Sequence, residues 1–113
     1  MVVAYRDKTI EAVADDFFDA LTSIRLELAE DGLIPHCYGA SLNVYPSGMT
    51  RDMFQGTVAY RNRKGEQSTR ADAVNIFASG PDVVPSTVKE QETFYSEWLD
   101  SFLSDWLGSL DQR

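Results

Sequence analysis

The chain has 113 residues, 43% of them hydrophobic and 12% aromatic, which suits one domain over residues 1–113 with a modest core and excludes a disordered chain. Eighteen acidic against ten basic side chains give a net charge of −8. That excess of carboxylates argues against a general nucleic-acid binder, whose affinity rests on neutralising phosphates, and against adhesion to an anionic membrane.

The N-terminus, Met1 to Lys8, carries a short apolar run before charges begin, and nothing later approaches the roughly 18–20 apolar residues of a membrane span. Residues Ile10, Val13, Ala14, Phe17, Leu21, Ile24 and Leu28 then recur at spacings of three and four. This is the helical period, with Thr9 as the expected N-cap and Gly32 and Pro35 as the stop. Phe18 and Leu26 fall outside that stripe, so they are expected beside the acidic face of the helix.

Residues 34 to 84 read as strands. Tyr38, Ala40, Leu42 and Val44 alternate with small or polar residues, and Pro46-Ser47-Gly48 makes a turn. Phe54, Gly56, Val58 and Tyr60 give a second alternating run, closed by a turn at Asn62-Arg63-Lys64-Gly65. In the third run, Ser68 to Ala78, Thr69 and Asp72 suit a short helical cap while Val74 to Phe77 prefer strand, which predicts a strand broken near Asp72.

Thr87 and Glu90 form a capping-box pattern that opens a last helix. Val88, Gln91, Tyr95, Trp98, Leu99, Phe102 and Trp106 share one face, Phe94, Leu103 and Leu107 widen it, and Gly108 is the expected stop. The expected fold class is α+β: helix, three-stranded antiparallel meander, helix, with both helices packed on one face of the sheet.

The charge is unevenly spread. Residues 1–33 carry a net −5, residues 34–84 a net +1 and residues 85–113 a net −4. Neither helical zone balances its carboxylates with lysines at i,i+4, and Asp105 opposes the dipole of the last helix. Asp111 adds to the carboxylates of that zone. An acidic surface of this kind keeps a small protein soluble, and it also suits docking to a basic partner.

Local motifs for chemistry are absent. Adjacent residues of an extended segment point to opposite faces, so His36 and Cys37 do not make a base and nucleophile pair, and they are too few for a zinc site. Asp15 with Asp19, or Glu27 with Glu30 or Asp31, share helix faces but lack the oxygen-rich loop of a cation site. No calcium loop, phosphate loop, dinucleotide fingerprint or nucleophile elbow occurs. The sequence therefore predicts no catalytic, cofactor-binding or metal-binding residues. With one cysteine no intramolecular disulfide forms, and a cytoplasmic setting is expected.

The expected function is non-enzymatic: a small acidic domain that binds a larger protein or ribonucleoprotein complex with a basic surface. Its most specific form is an inhibitor that blocks a nucleic-acid-binding surface, as small phage and mobile-element proteins directed against restriction or CRISPR complexes do. Asp15, Asp16, Asp19, Glu27 and Glu30 would stand in for phosphates, Glu97 and Asp100 would extend the row, and Phe18 or Leu26 would anchor it. One alternative is a homodimer or larger homo-oligomer using Phe94, Leu103, Leu107, Val74 or Ile76. A second is a nucleic-acid-binding sheet using Arg61, Arg63 and Lys64 of the basic hairpin, with Arg51, Arg70, Tyr45 and Tyr60 nearby. An enzymatic site would have to join Asp52 or Asp72 to the sheet.

Overall fold

The computed structural model describes the backbone of residues 1–111 and the side chains of residues 1–101. The expectations placed on Phe102, Leu103, Asp105, Trp106, Leu107 and Asp111 lie outside the described side chains.

The chain begins with strands, not with a helix. Strands β1 (Val2–Tyr5) and β2 (Lys8–Glu11) form an antiparallel hairpin that pairs Val3 with Ile10 and Tyr5 with Lys8. Its tight turn is made by Arg6, at φ 53°, and Asp7. The helical spacing seen from Ile10 to Phe17 is accidental, because Ile10 lies in β2, Val13 lies in the connection that follows it, and Val13 is 92% exposed. Helix α1 spans Phe17–Glu30, and its N-cap is Asp16, whose carboxylate accepts from the Asp19 amide at 2.7 Å. Starting the helix there fixes its phase. Phe18, Leu21, Ile24, Arg25 and Leu28 turn inward while Phe17 and Leu26 turn outward.

The middle zone contains the expected antiparallel order but less strand than its alternation suggests. Tyr38–Ala40 is a turn of 3-10 helix and β3 is only Val44–Tyr45. Gly39 explains the turn, since a Cβ there would come within 2.4 Å of the Leu21 side chain and 3.0 Å of the Ile76 carbonyl. Helix α2 (Gly48–Phe54) replaces the expected simple turn. Ser47 and Thr50 cap it reciprocally, the Thr50 amide donating to Ser47 Oγ at 3.1 Å and the Ser47 amide to Thr50 Oγ1 at 2.9 Å. Gln55 and Gly56, both at positive φ, end it and lead into β4 (Val58–Arg61). The broken third run resolves into a 3-10 turn, Arg70–Asp72, capped by Thr69, followed by β5 (Ala73–Asn75). The sheet order is β3-β4-β5, separate from the β1-β2 hairpin.

Helix α3 (Val88–Asp111) opens with the expected box: the Thr87 amide donates to Glu90 Oε1 at 2.9 Å and the Glu90 amide to Thr87 Oγ1 at 3.1 Å. It continues past Gly108, since a glycine within a helix costs only about 1 kcal/mol. The two long helices meet the sheet through different contacts. Phe18 and Leu21 of α1 pack on Val44, Ala59 and Ile76, whereas α3 meets the edge strand β3, where Gln91 Nε2 donates to the Val44 carbonyl at 2.9 Å. A second cluster joins Ala20, Ile24 and Leu28 of α1 to Ile10 and Ala12 of the hairpin side.

A buried cation links these parts. Arg25 is 3% exposed and donates to the carbonyls of Gly39 and Ser86, both at 3.0 Å, and to Gln91 Oε1 at 2.6 Å. Gln91 Nε2 in turn donates to the carbonyls of Gly39, Ser41 and Val44. No carboxylate pairs with Arg25 among the described residues, and burial lowers its pKa.

Candidate functional site

The carboxylates expected to form one row are divided among three places. Asp16 and Asp19 stand at the start of α1, where Arg51 of α2 donates to them at 2.6 and 3.1 Å. Burial pulls the Arg51 pKa down, but its hydrogen bonds to Asp16 and Asp19 outweigh that and raise it. Glu27 and Glu30 lie near the far end of the helix, about 12 to 21 Å further along its axis at 1.5 Å per residue. They line a shallow hollow with Tyr5, Lys8 and Asp31. Asp31 there accepts from Lys8 Nζ at 2.8 Å and Tyr5 Oη at 2.7 Å, which holds its carboxyl below the usual range. Glu97 is on α3 and pairs with Lys64 at 2.6 Å, while Asp100, a turn further on, is exposed. Among the described residues, Asp15, Glu27, Glu30 and Asp100 form no ion pair.

Phe18 does not serve as a surface anchor. It is 2% exposed, and its ring packs edge-on to Tyr45 at 5.1 Å because the Asp16 cap rotates it into the core. Phe17, its neighbour, is 40% exposed and meets the Phe77 ring edge-on at 6.3 Å. Leu26 is exposed as expected, and it lines a hollow with Ile34, Val88 and Lys89. Ile76 is fully buried in the α1 cluster, which removes it from any self-association surface, while Val74 and Phe94 are half-buried.

Around Phe17 an apolar surface continues. The Phe17 amide donates to the Gln55 carbonyl at 2.8 Å, tying the end of α2 to the start of α1. Exposed Met53 and Phe54 immediately precede that carbonyl, and Val13, Ala14, Asp15 and Phe17 line a cavity of about 230 Å³ with Gln55 and Met1. Asp15 lines the same cavity and Asp52 is on α2 next to Met53; both are exposed and form no ion pair among the described residues. This surface is hidden in the sequence because Pro46-Ser47-Gly48 has the composition of a simple turn, whereas the chain continues from it into α2. The spacing Ser47-x-x-Thr50 was the available signal for it.

The basic hairpin is also largely neutralised. Arg61 pairs with Asp82 at 2.9 Å, Lys64 with Glu97 at 2.6 Å, and Arg63 lies 3.7 Å from Glu66. Hydrogen bonds from Tyr38 and then Arg61 hold the Asp82 carboxyl below its usual range. His36 Nδ1 shares a hydrogen bond with Ser79 Oγ at 2.7 Å, and burial pushes the half-buried Cys37 thiol up. Among the described residues no three His, Cys, Asp or Glu side chains converge as metal ligands, and no helix is long and apolar enough to cross a membrane. Compared with known proteins, the chain matches no family model and no curated sequence.

Proposed function

We propose that this chain is a protein-binding domain whose acidic and apolar surface, at the junction of α1 and α2, docks on a basic site of a larger protein or ribonucleoprotein. The observation that carries this reading is the exposure of Phe17, Met53, Phe54 and Phe77, together with the exposed carboxylates Asp15 and Asp52, which form no ion pair among the described residues. Helix α2 is only seven residues long, yet Met49, Met53 and Phe54 are all exposed on it. Apolar groups concentrated in this way mark interaction surfaces, and surrounding carboxylates steer a cationic partner toward them. Phe17 takes the anchoring role that the sequence suggested for Phe18.

In its most specific form the domain inhibits its partner by occupying the site where that partner holds nucleic acid. Asp16 and Asp19 contribute little free charge to such mimicry, because Arg51 already neutralises them in part. Asp15 and Asp52 supply it instead. The test is affinity capture from the native host or its target organism with three baits: the parent chain, Phe17→Ser with Phe54→Ser, and Asp15→Asn with Asp52→Asn. The parent should retain a nucleic-acid-processing complex that added duplex DNA or RNA displaces, and the aromatic variant should lose about 30-fold or more in affinity. The carboxamide variant should associate more slowly and show a weaker salt dependence. Equal retention by all three baits would remove this surface from the interaction.

A further inference from the structure

Between the second half of α1 and the first turn of α3 lies a recess of about 140 Å³. Leu26, Leu33 and Ile34 make its apolar wall, Val88 and Lys89 close the opposite side, and Arg25 forms part of the lining. Its volume is close to the roughly 150 Å³ at which an apolar protein cavity takes one benzene, and below the 300 Å³ or so where sites for larger ligands begin. A small body with a polar end suits it.

The charge in this recess is positive, although the chain as a whole carries −8. Arg25 is 3% exposed and no carboxylate pairs with it among the described residues; Glu92 reaches it through its field alone. Its Nη1 and Nη2 donate to Gly39, Gln91 and Ser86, which leaves the Nε–H and one Nη2 proton with no acceptor among the described residues. The Nε is not sealed in the core. Among the described residues the buried side-chain atom without a partner is Arg61 Nε, so Arg25 Nε reaches open space, and the recess is the cavity that Arg25 lines.

The start of α3 adds to this. The Thr87 and Glu90 amides are satisfied by each other's side chains, whereas the Val88 and Lys89 amides, the first two of a 24-residue helix, have no acceptor among the described residues. Glu90 is not part of the recess lining, and Lys89 is exposed there without an ion pair among the described residues.

We infer that this recess binds a short aliphatic monocarboxylate of about five or six carbons, its carboxylate on Arg25 and the start of α3 and its chain against Leu26, Leu33 and Ile34. Hydrogen bonds between two charged groups are about twice as strong as neutral ones, so a buried guanidinium without a counter-ion gains most from an ionised acceptor. The helix N-terminus favours the same sign of charge. The apolar wall selects against a bare inorganic anion, whose remaining oxygens would be desolvated against it without donors. A neutral hydrocarbon would fill the space and leave the guanidinium unmet. The recess shares no lining residue with the Phe17 cavity, so this inference stands apart from the docking reading above.

The test is a titration of the full ¹⁵N-labelled chain at neutral pH with isocaproate, beside isocaproamide, acetate and inorganic phosphate. Isocaproate should bind with a Kd of about 1 mM or tighter, and should move the Arg25 Nε–H and the Val88 and Lys89 amide resonances while leaving those of Phe17 and Phe54 in place. The three controls should each bind at least about tenfold more weakly. Ala29, an exposed residue of the lining, can be enlarged without touching the core, so Ala29→Leu should keep the parent melting temperature and weaken isocaproate about tenfold or more. Lys89→Glu should weaken it about fivefold, and Phe17→Ser with Phe54→Ser should bind it as the parent does. No shift at about 10 mM isocaproate, equal shifts from any of the three controls, or undiminished binding by Ala29→Leu would overturn the inference. So would tighter binding of an acetylated tripeptide ending in leucine, since that assigns the recess to the C-terminus of a protein.

Discussion

Replacing Gln91 with glutamate sets two effects at one buried position against each other. The change hands Arg25 a carboxylate at the 2.6 Å now occupied by Gln91 Oε1, which on a simple charge argument should stabilise the fold. It also removes the Nε2 donor from the carbonyls of Gly39, Ser41 and Val44, which it reaches at 2.9 to 3.0 Å, and turns an oxygen toward them. Three hydrogen bonds at about 1 kcal/mol each amount to about 3 kcal/mol, before repulsion between the new oxygen and three carbonyls. A buried ion pair returns little of this, because desolvating the carboxylate offsets most of its attraction to the guanidinium. Gln91→Glu is therefore expected to lose at least about 3 kcal/mol, and Gln91→Met a similar amount. In urea the midpoint should fall by about 1–3 M for a slope of about 1–3 kcal/mol per M. A Gln91→Glu protein as stable as the parent, with Gln91→Met much weaker, would show that the missing counter-ion of Arg25 outweighs the carbonyl bonds.

Other expectations follow from the same contacts. Phe18→Ala should cost about 3–5 kcal/mol in urea unfolding, as for a buried aromatic, whereas Phe17→Ala loses an exposed ring contact and should cost about 0.5–1.5 kcal/mol. Equal losses would contradict the helix phase set by Asp16. Arg51→Ala frees Asp16 and Asp19 and should lower the melting temperature by several degrees, and adding Asp16→Asn should cost less in that background than alone; additive losses would deny the pairing. The folded pKa values of Asp31 and Asp82 are depressed, so their stabilisation is complete above about pH 4 and is lost as the pH falls through the lowered values. Asp31→Asn with Asp82→Asn should therefore flatten the acid limb of a melting-temperature profile, and an unchanged limb would refute that role.

What was legible in the sequence was what short-range chemistry alone decides. The Thr87 and Glu90 box starts α3 as read, and the conflict between Thr69-Asp72 and the following β-formers resolves into a capped 3-10 turn and then a strand. The hairpin was hidden because Thr9 serves equally as an N-cap and as a strand residue, and Ile10 continues the helical spacing of Leu21, Ile24 and Leu28 by chance. Only the tertiary cluster of Ile10 with Ala20, Ile24 and Leu28 decides between them. At the site, the stripe could not separate Phe17 from Phe18 without the exact start of the helix. Arg25 and Gln91 stood on apolar stripes as polar exceptions, a signal of a buried network that composition and charge counts do not reveal.

Helix α1 faces two separate clusters, one closed by the hairpin and one by the three-stranded sheet. It is a party wall between two rooms. Removing either room strips one side of the wall, so neither half of the molecule is expected to open alone, and amide exchange should report one cooperative unit from Ile10 through Ile76. Change accumulates most easily where the wall is not involved, on the outer surface of α2. The stretch that carries Met49, Met53 and Phe54 is thus the one most free to vary from partner to partner, while Phe17 and the two cores stay fixed.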